Sequence, residues 1–354
     1  MKILHTSDLH IDSPLTTRLD SKKVRERKSE LLFSFRRMTE EARREGAAAL
    51  IIAGDLFDSE NIGKRTLKSV LDIISLAPEI TFFYLSGNHE RNVLYSCGIP
   101  LPENLKLFEK EWTYYNLDGI NFIGRTDTDS DMFGELRLNA SEINVLVLHG
   151  ELREHSDIGG VIGKKDLNGL PIDYLALGHY HSYSHTELSN TSFAVYCGTP
   201  EPRGFDECGE CGYVMIDADK SKISHRFVKS AKRAFRIVKV NVMGERSDLS
   251  LLYKIEKALA GIPSSDLVRI VLTGERELGQ SFNKETLLSS VSGGYYYAEI
   301  KDETVLRISP DDFKNDISLK GEFIRGVLSD DTLSDTEKER VISLGLEILL
   351  GEVR

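Results

Sequence analysis

The chain has 354 residues, 40% hydrophobic and 29% charged, which suits a folded protein long enough for more than one domain. Its formal net charge of −11 (45 Lys and Arg against 56 Asp and Glu) argues against an unaided, indiscriminate grip on nucleic acid, although a metal centre adds positive charge that this count omits. No apolar stretch approaches the length that spans a bilayer, and Met1-Lys2-Ile3-Leu4 leads straight into the first polar motif, which predicts a cytoplasmic protein with no signal peptide and no membrane partner.

Taken in chain order, residues 2–8 read as a short buried strand. Residues 21–45 carry Leu31, Phe35, Met38 and Ala42 at helical spacing, the inner face of an amphipathic helix. A second buried strand follows at 49–57, then a helix at 64–76 with Leu67, Val70, Leu71 and Ile74 inward, and a third strand at 80–85. Residues 112–117 and 120–124 flank Asp118-Gly119, a two-residue hairpin signal. Buried runs come next at 143–148 and 174–177, and the segments 192–197, 212–217 and 224–229 alternate like antiparallel strands. The pattern predicts a mixed α/β domain over 1–235, with a βαβ-type first half and a second sheet behind it. Residues 236–309 read as a small α+β domain: a strand from Phe235, helices at 249–260 and 284–291, a strand at 267–272, and a hairpin-like pair at 295–300 and 304–308. Residues 310–354 read as an acidic helical tail, whose Val341, Leu344, Ile348 and Leu349 form an apolar stripe that must bury against this chain or a partner.

The buried runs of the first domain end in polar clusters of one flavour. The first gives Asp8 and His10, the second Gly54-Asp55-Leu56-Phe57-Asp58, and the third Gly87-Asn88-His89-Glu90. The later pair gives His149-Gly150-Glu151 and Gly178-His179-Tyr180-His181. Taken singly, each could be a turn or a satisfied histidine; five in order at strand ends make chance a poor explanation. Carboxyl ends of neighbouring strands in an open α/β sheet share one edge, which would gather Asp8, His10, Asp55, Asn88, His149, His179 and His181. That is an oxygen and imidazole set without thiolate, large enough for two divalent ions. On extended chain, D-x-H and H-x-H point alternate side chains the same way, so both can grip one ion. Asp55 can bridge two ions, one to each oxygen. Glycines before Asp55, Asn88 and His179 leave room for metal and substrate. His89, beside the ligand Asn88, is better placed to donate a proton to a leaving alkoxide. Cys208 and Cys211 lack a second Cys pair and read as structural.

In combination, DLH, GDLFD, GNHE, LHGE and GHYH resemble the five ordered blocks of the calcineurin-like metallophosphoesterases, over roughly residues 1–230. HTSDLHIDSPL, DYLALGHYHS and YCGTPEPRGFDECGECGYV resemble the SbcD-type DNA repair nucleases, especially the YhaO-like branch. The resemblance implies an α/β fold with a two-sheet β-sandwich flanked by helices, and a capping role for 236–309. It assigns one ion to Asp8, His10, Asp55 and His181, the other to Asp55, Asn88, His149 and His179, and the catalytic acid to His89. It implies manganese, though zinc or iron would suit the same ligands. It also implies exonuclease and endonuclease activity on DNA in repair and recombination beside an SbcC-like or YhaN-like coiled-coil ATPase; a homodimer is admitted. Asp58 stands where several relatives carry histidine, which leaves the balance of the two activities open. The competing readings are a phosphodiesterase for small nucleotides, and a subunit that chiefly binds DNA ends and the ATPase. For DNA contact the candidates are Arg203 and the basic cluster Lys232, Arg233 and Arg236, near the late strands and the domain junction.

Overall fold

The apolar runs of the first half become strands because alternate residues of each find an apolar layer on either side. In chain order these are β1 (Lys2–Thr6), β2 (Ala47–Ala53), β3 (Thr81–Leu85), β4 (Leu105–Leu107), β5 (Thr113–Leu117), β6 (Ile120–Gly124), β7 (Ile143–His149), β8 (Glu151–Arg153), β9 (Val161–Gly163), β10 (Tyr174–Gly178), β11 (Ser184–Glu187), β12 (Phe193–Tyr196), β13 (Gly212–Asp219) and β14 (Lys222–Lys229). Two six-stranded sheets form, ordered β14–β13–β1–β2–β3–β4 and β11–β12–β10–β7–β6–β5. This computed structural model describes residues 1–15, 18–128, 132–155, 160–219, 222–277, 280–307 and 315–349. The expected strand end at Ile308, the domain boundary at 309/310 and the tail residues 350–354 lie outside the described residues. The chain divides into two compact units, Met1–Phe235 and Arg236–Arg354.

In the first unit, Ile3, Ala49, Ile51, Ala53, Phe83 and Leu85 of one sheet pack against Val145, Val147, Tyr174, Ala176 and Val195 of the other. The odd-even partners of these residues face outward. Leu4, Leu50, Ile52, Phe82 and Tyr84 meet the helices α1 (Ser21–Glu45) and α2 (Lys64–Ser75) through Phe35, Met38, Leu67, Val70 and Ile74. On the far side, Leu146, Leu148, Leu175 and Leu177 pack beneath Met132, Leu136, Ile162 and Leu167. Asp20 caps α1, its carboxylate accepting the N–H of Lys22 and Lys23 at 2.9 Å, and Gly46 ends the helix at φ 70°. Asp118 and Gly119 turn the β5–β6 hairpin with φ of 50° and 84°.

Parallel pairing decides where the site lies. β1, β2 and β3 pair in parallel, so the chain leaves Thr6, Ala53 and Leu85 at one end of their sheet. β7 and β10 pair in parallel with Gly178 opposite His149. The expectation of one shared sheet edge is corrected here: the first three polar clusters leave one sheet and the last two leave the other. The ends meet because the sheets stack face to face; a Cβ on Gly178 would come within 2.0 Å of the Ala53 carbonyl oxygen.

The second unit has its own core. β15 (Phe235–Asn241), β16 (Leu267–Thr273) and β18 (Tyr297–Asp302) form a sheet packed on α3 (Asp248–Leu259) and α4 (Lys284–Ser292), through Val240, Val242, Leu251, Ile255, Val268, Ile270 and Leu287. β17 (Glu275–Arg276) pairs in parallel with β19 (Val305–Leu306). The expected hairpin near 295–308 is therefore not one: β18 pairs with β16 and β19 with β17. α5 (Leu319–Leu328) and α6 (Asp335–Leu349) enclose Leu306, Ile324, Ile342 and Leu346. Within this chain a neighbouring stripe is the buried one, and the expected stripe is left for a partner. Ile342 and Leu346, at i and i+4, are 3% and 0% exposed, whereas Val341, Leu344, Ile348 and Leu349 are 39–60% exposed. An apolar-rich helix offers two stripes about 100° apart, and periodicity alone does not choose between them. Among the described residues, no helix is long and apolar enough to cross a membrane.

Candidate metal centre

β1 stops at Thr6, and the next residues leave extended geometry. Asp8 and His10 have φ of 51° and 44°, Asp55 52° and His179 106°. The expectation of an extended D-x-H is corrected accordingly: both side chains are aimed by left-handed backbone, which non-glycine residues adopt only where surroundings compel it. The compulsion is visible. The segment after β1 runs beside the segment after β2, with Asp8 N–H donating to Gly54 O at 3.0 Å, His10 N–H to Asp55 O at 2.9 Å and Ile11 N–H to Leu56 O at 2.9 Å. Gly54 and Gly87 allow close approach, since a Cβ would lie 2.2 Å from His149 Nδ1 and 2.0 Å from Asp55 Oδ1, respectively.

Asp8, His10 and His181 form one group whose donor atoms lie within 4.8 Å of one another, Asp8, Asp55 and His149 form another, and His10, Asp58 and the exposed His89 form a third at the edge of the first. Asp8, His10 and Asp55 are buried. His10 Nε2 lies 3.3 Å from His181 Nε2 and 3.7 Å from Asp55 Oδ2, and His181 Nε2 lies 3.9 Å from Asp8 Oδ1. Asp8 is steadied by the His179 N–H, 3.0 Å from Oδ1, and by the Ser7 hydroxyl. Asp55 faces the first two groups with the same atom, because Oδ2 is also 3.4 Å from His149 Nε2. Its Oδ1 accepts the His89 N–H at 3.1 Å.

The His149 side tests whether cations fit. Its Nδ1 is 2.9 Å from the Ala53 carbonyl oxygen, which can only accept, so Nδ1 carries a proton. Nε2 then confronts Asn88 Oδ1 at 3.0 Å and Asp55 Oδ2 at 3.4 Å. Only a proton or a cation relieves three converging acceptors. The protonation shifts agree: burial would lower the His149 imidazole, but the hydrogen bond with Asp55 and the charges of Asp8 and Asp55 raise it to about 9. Burial would likewise raise the Asp55 carboxyl, yet His149 and His10 hold it well below the usual carboxylate range.

Other expected site residues sit differently. The exposed His89 ring is edge-on to His10, and its Nδ1 lies 3.1 Å from the Asp58 carbonyl oxygen. The exposed ring of His179 stands edge-on to His149, 5.5 Å between centroids, outside all three groups. Arg203 is enclosed, with Nη1 2.8 Å from Asp58 Oδ1 and Nη2 2.7 Å from Glu207 Oε1. Lys232 Nζ and Arg233 Nε bind Glu30 Oε1 at 2.7 and 3.0 Å, and Arg233 is buried. Arg236, in the second unit, binds Asp266 at 3.1 Å. Within the first unit, the side-chain contacts of Lys232 and Arg233 run to Glu30 and Glu26 rather than to the ligand groups. It adds residues that the sequence did not single out. Buried Glu90 accepts the Leu56 N–H at 2.9 Å and that of Phe57, tying the GNHE loop to the GDLF loop, and Glu207 lies 2.8 Å from His181 Nδ1. Glu90 was visible within its block; nothing around Glu207 marked it. A groove of about 920 Å³ opens from Asn88, His149 and His179 and is lined further on by Arg91, Tyr95 and Lys110.

Residues 1–183 match the calcineurin-like phosphoesterase family, half of the chain. The chain belongs to that family. It is a metal-dependent hydrolase of phosphoesters, and the first two ligand groups support two divalent ions. It is 25% identical over 297 residues to the uncharacterized metallophosphoesterase YhaO of Bacillus subtilis, covering 77% of this chain and 72% of that protein. Over 339 residues it is 26% identical to the DNA double-strand break repair protein Mre11 of Methanosarcina acetivorans, covering 88% of this chain but 52% of that one. A stretch of 46 residues, 13% of this chain and 11% of its counterpart, is 44% identical to the SbcD component of the nuclease SbcCD of Escherichia coli.

Proposed function

We propose that this phosphoesterase is a two-metal DNA nuclease acting in double-strand break repair, as exonuclease or endonuclease, beside an SbcC-like or YhaN-like coiled-coil ATPase. The observation that carries the reading is the convergence of bare acceptors from both sheets at the mouth of an open groove. The relatives named for DNA repair and nuclease activity support DNA as substrate. Asp8, His10, Asp55 and His181 hold one ion; Asp55, Asn88 and His149 hold the other, with His179 at its rim. Manganese suits this nitrogen and oxygen set. When bound, the ions supply the Lewis acidity and charge that phosphoryl transfer to water requires. His89 donates the proton to the leaving oxygen from Nε2, because its Nδ1 is occupied by the Asp58 carbonyl oxygen. Asn88 and His149 turn towards the groove, and Arg91 and Lys110 along it contact the phosphate backbone, the role expected from sequence of Arg203, Lys232, Arg233 and Arg236.

The test is cleavage of a labelled duplex and of a small chromogenic phosphodiester by the purified chain with Mn²⁺. Both are cleaved on this reading. Neutralising Arg91 and Lys110 flattens the salt dependence of DNA cleavage by about one unit per lost contact. One observation favours a second reading, a phosphodiesterase for small nucleotides: the groove has the volume of a small-molecule pocket. Turnover of a nucleotide diester with no cleavage of any duplex would select it.

A further inference from the structure

Behind the imidazoles of the first ligand group lies a closed ring of contacts. His10 Nδ1 is 3.1 Å from Asp58 Oδ1, and His181 Nδ1 is 2.8 Å from Glu207 Oε1. Arg203 joins the two carboxylates: Nη1 donates to Asp58 Oδ1 at 2.8 Å, while Nη2 and Nε donate to Glu207 Oε1 at 2.7 and 3.0 Å. The Arg203 backbone N–H donates to the other Glu207 oxygen at 2.6 Å. The ring closes through the facing Nε2 atoms of His10 and His181. Asp58 has a second task, since its carbonyl oxygen holds His89 Nδ1.

A carboxylate only accepts hydrogen bonds, so the His181 Nδ1 that faces Glu207 carries the ring proton and its Nε2 offers a lone pair, whereas His10 Nδ1 lies beside Asp58 without a hydrogen bond to it. We propose that Arg203 and Glu207 are positioning residues that fix the tautomer and aim of His181, that Asp58, held by Arg203, faces His10 through charge, and that Arg203 is a brace rather than a DNA contact. The proposal rests on the two-metal reading above. A rival arrangement exists on the same atoms, because Arg203 Nη2 is also 3.2 Å from His181 Nδ1. If the guanidinium donated there, the His181 proton would sit on Nε2 and the ring could not bind an ion. That arrangement sets a bare Nδ1 against Glu207 Oε1 at 2.8 Å, and Nη2 already has Oε1 at 2.7 Å. The brace wins. Spanning two carboxylates needs the planar fork of arginine, and a lysine ammonium of equal charge is too compact to reproduce it. Partners of this kind typically change metal affinity by roughly 10–100-fold when removed.

Two measurements on the full chain test this. Long-range ¹H–¹⁵N spectra of the folded, metal-free protein read the tautomers directly; the neutral ring of His181 is expected to carry its proton on Nδ1. Calorimetric titration with Mn²⁺ then compares wild type with Glu207→Gln and Arg203→Lys. Each variant should lose roughly 10–100-fold in affinity for one ion and keep the other near wild type. If Glu207→Gln does not fold, Arg203→Lys and the wild-type spectra still decide. An Nε2-protonated His181 in wild type would overturn the proposal. So would variants that bind both ions normally while flattening the salt dependence of DNA cleavage, which would make Arg203 a DNA contact. A wild-type chain that takes up no Mn²⁺ overturns the two-metal reading instead, and the tautomers still judge the brace.

Discussion

At the scale of single residues, the site is a problem of too many acceptors. Asp8, His10, Asp55 and His149 are buried, and buried polar groups without compensation are costly, so ions or protons must occupy the space between them. His149 makes this measurable. Its imidazole is raised from 6.5 to about 9, so the stability it adds to the metal-free chain is fully present below pH 6.5 and lost as the pH rises through about 9. The same proton must leave before an ion binds, so metal uptake should strengthen across that window. Mn²⁺ titrations in buffers of different ionisation enthalpy should show proton release below pH 9; affinity that stays flat from pH 6.5 to 9 would contradict the assignment. His89 should behave otherwise. His89→Ala should keep both ions while turnover falls by roughly two to four orders of magnitude, the usual worth of general acid catalysis. Metal content measured alongside activity decides, since a parallel drop would make His89 a ligand. The ligand types were legible in the sequence because each follows a buried run. The Asp58–Arg203–Glu207 ring was not, because Arg203 meets Asp58 across 145 residues and no local spacing records that.

At the scale of elements, periodicity served well where one face alone is apolar. Leu31, Phe35, Met38 and Ala42 of α1 are the buried residues that their spacing predicts. It does not choose a face where a helix is apolar on two sides, as in α6. Leu346→Ala should therefore lower stability by about 2–5 kcal/mol, the range for emptying a buried leucine site, while Leu344→Ala should change it by less than about 0.5 kcal/mol. Thermal or urea unfolding of the two variants checks this, and a larger loss from Leu344 would restore the stripe expected from periodicity. Strand ends were harder to read than strands. The runs at 2–8 and 49–57 stop at Thr6 and Ala53, because the apolar residues beyond them, Leu9, Leu56 and Phe57, pack from turns rather than from ladders.

At the scale of the whole molecule, a net charge of −11 means that the DNA contact proposed above would have to come from local cations and bound ions. In the basic cluster expected from sequence, Arg233 and Lys232 neutralise buried Glu30 together with Arg27. Arg233→Met should lower stability by about 2 kcal/mol, less than the roughly 3–5 of a buried pair broken outright because Arg27 remains, and it should leave the salt dependence of cleavage unchanged. A flattened salt slope in that variant would return the cluster to the binding surface. The central claim is that Asp55 would be shared by two divalent ions that together make the chain a phosphodiesterase. Its most direct test is metal stoichiometry, measured by elemental analysis beside hydrolysis of a chromogenic phosphodiester, in wild type and Asp55→Asn. Wild type should bind two equivalents and hydrolyse the diester, and the variant should lose both the hydrolysis and tight binding of both ions; two full equivalents in Asp55→Asn would contradict the shared carboxylate.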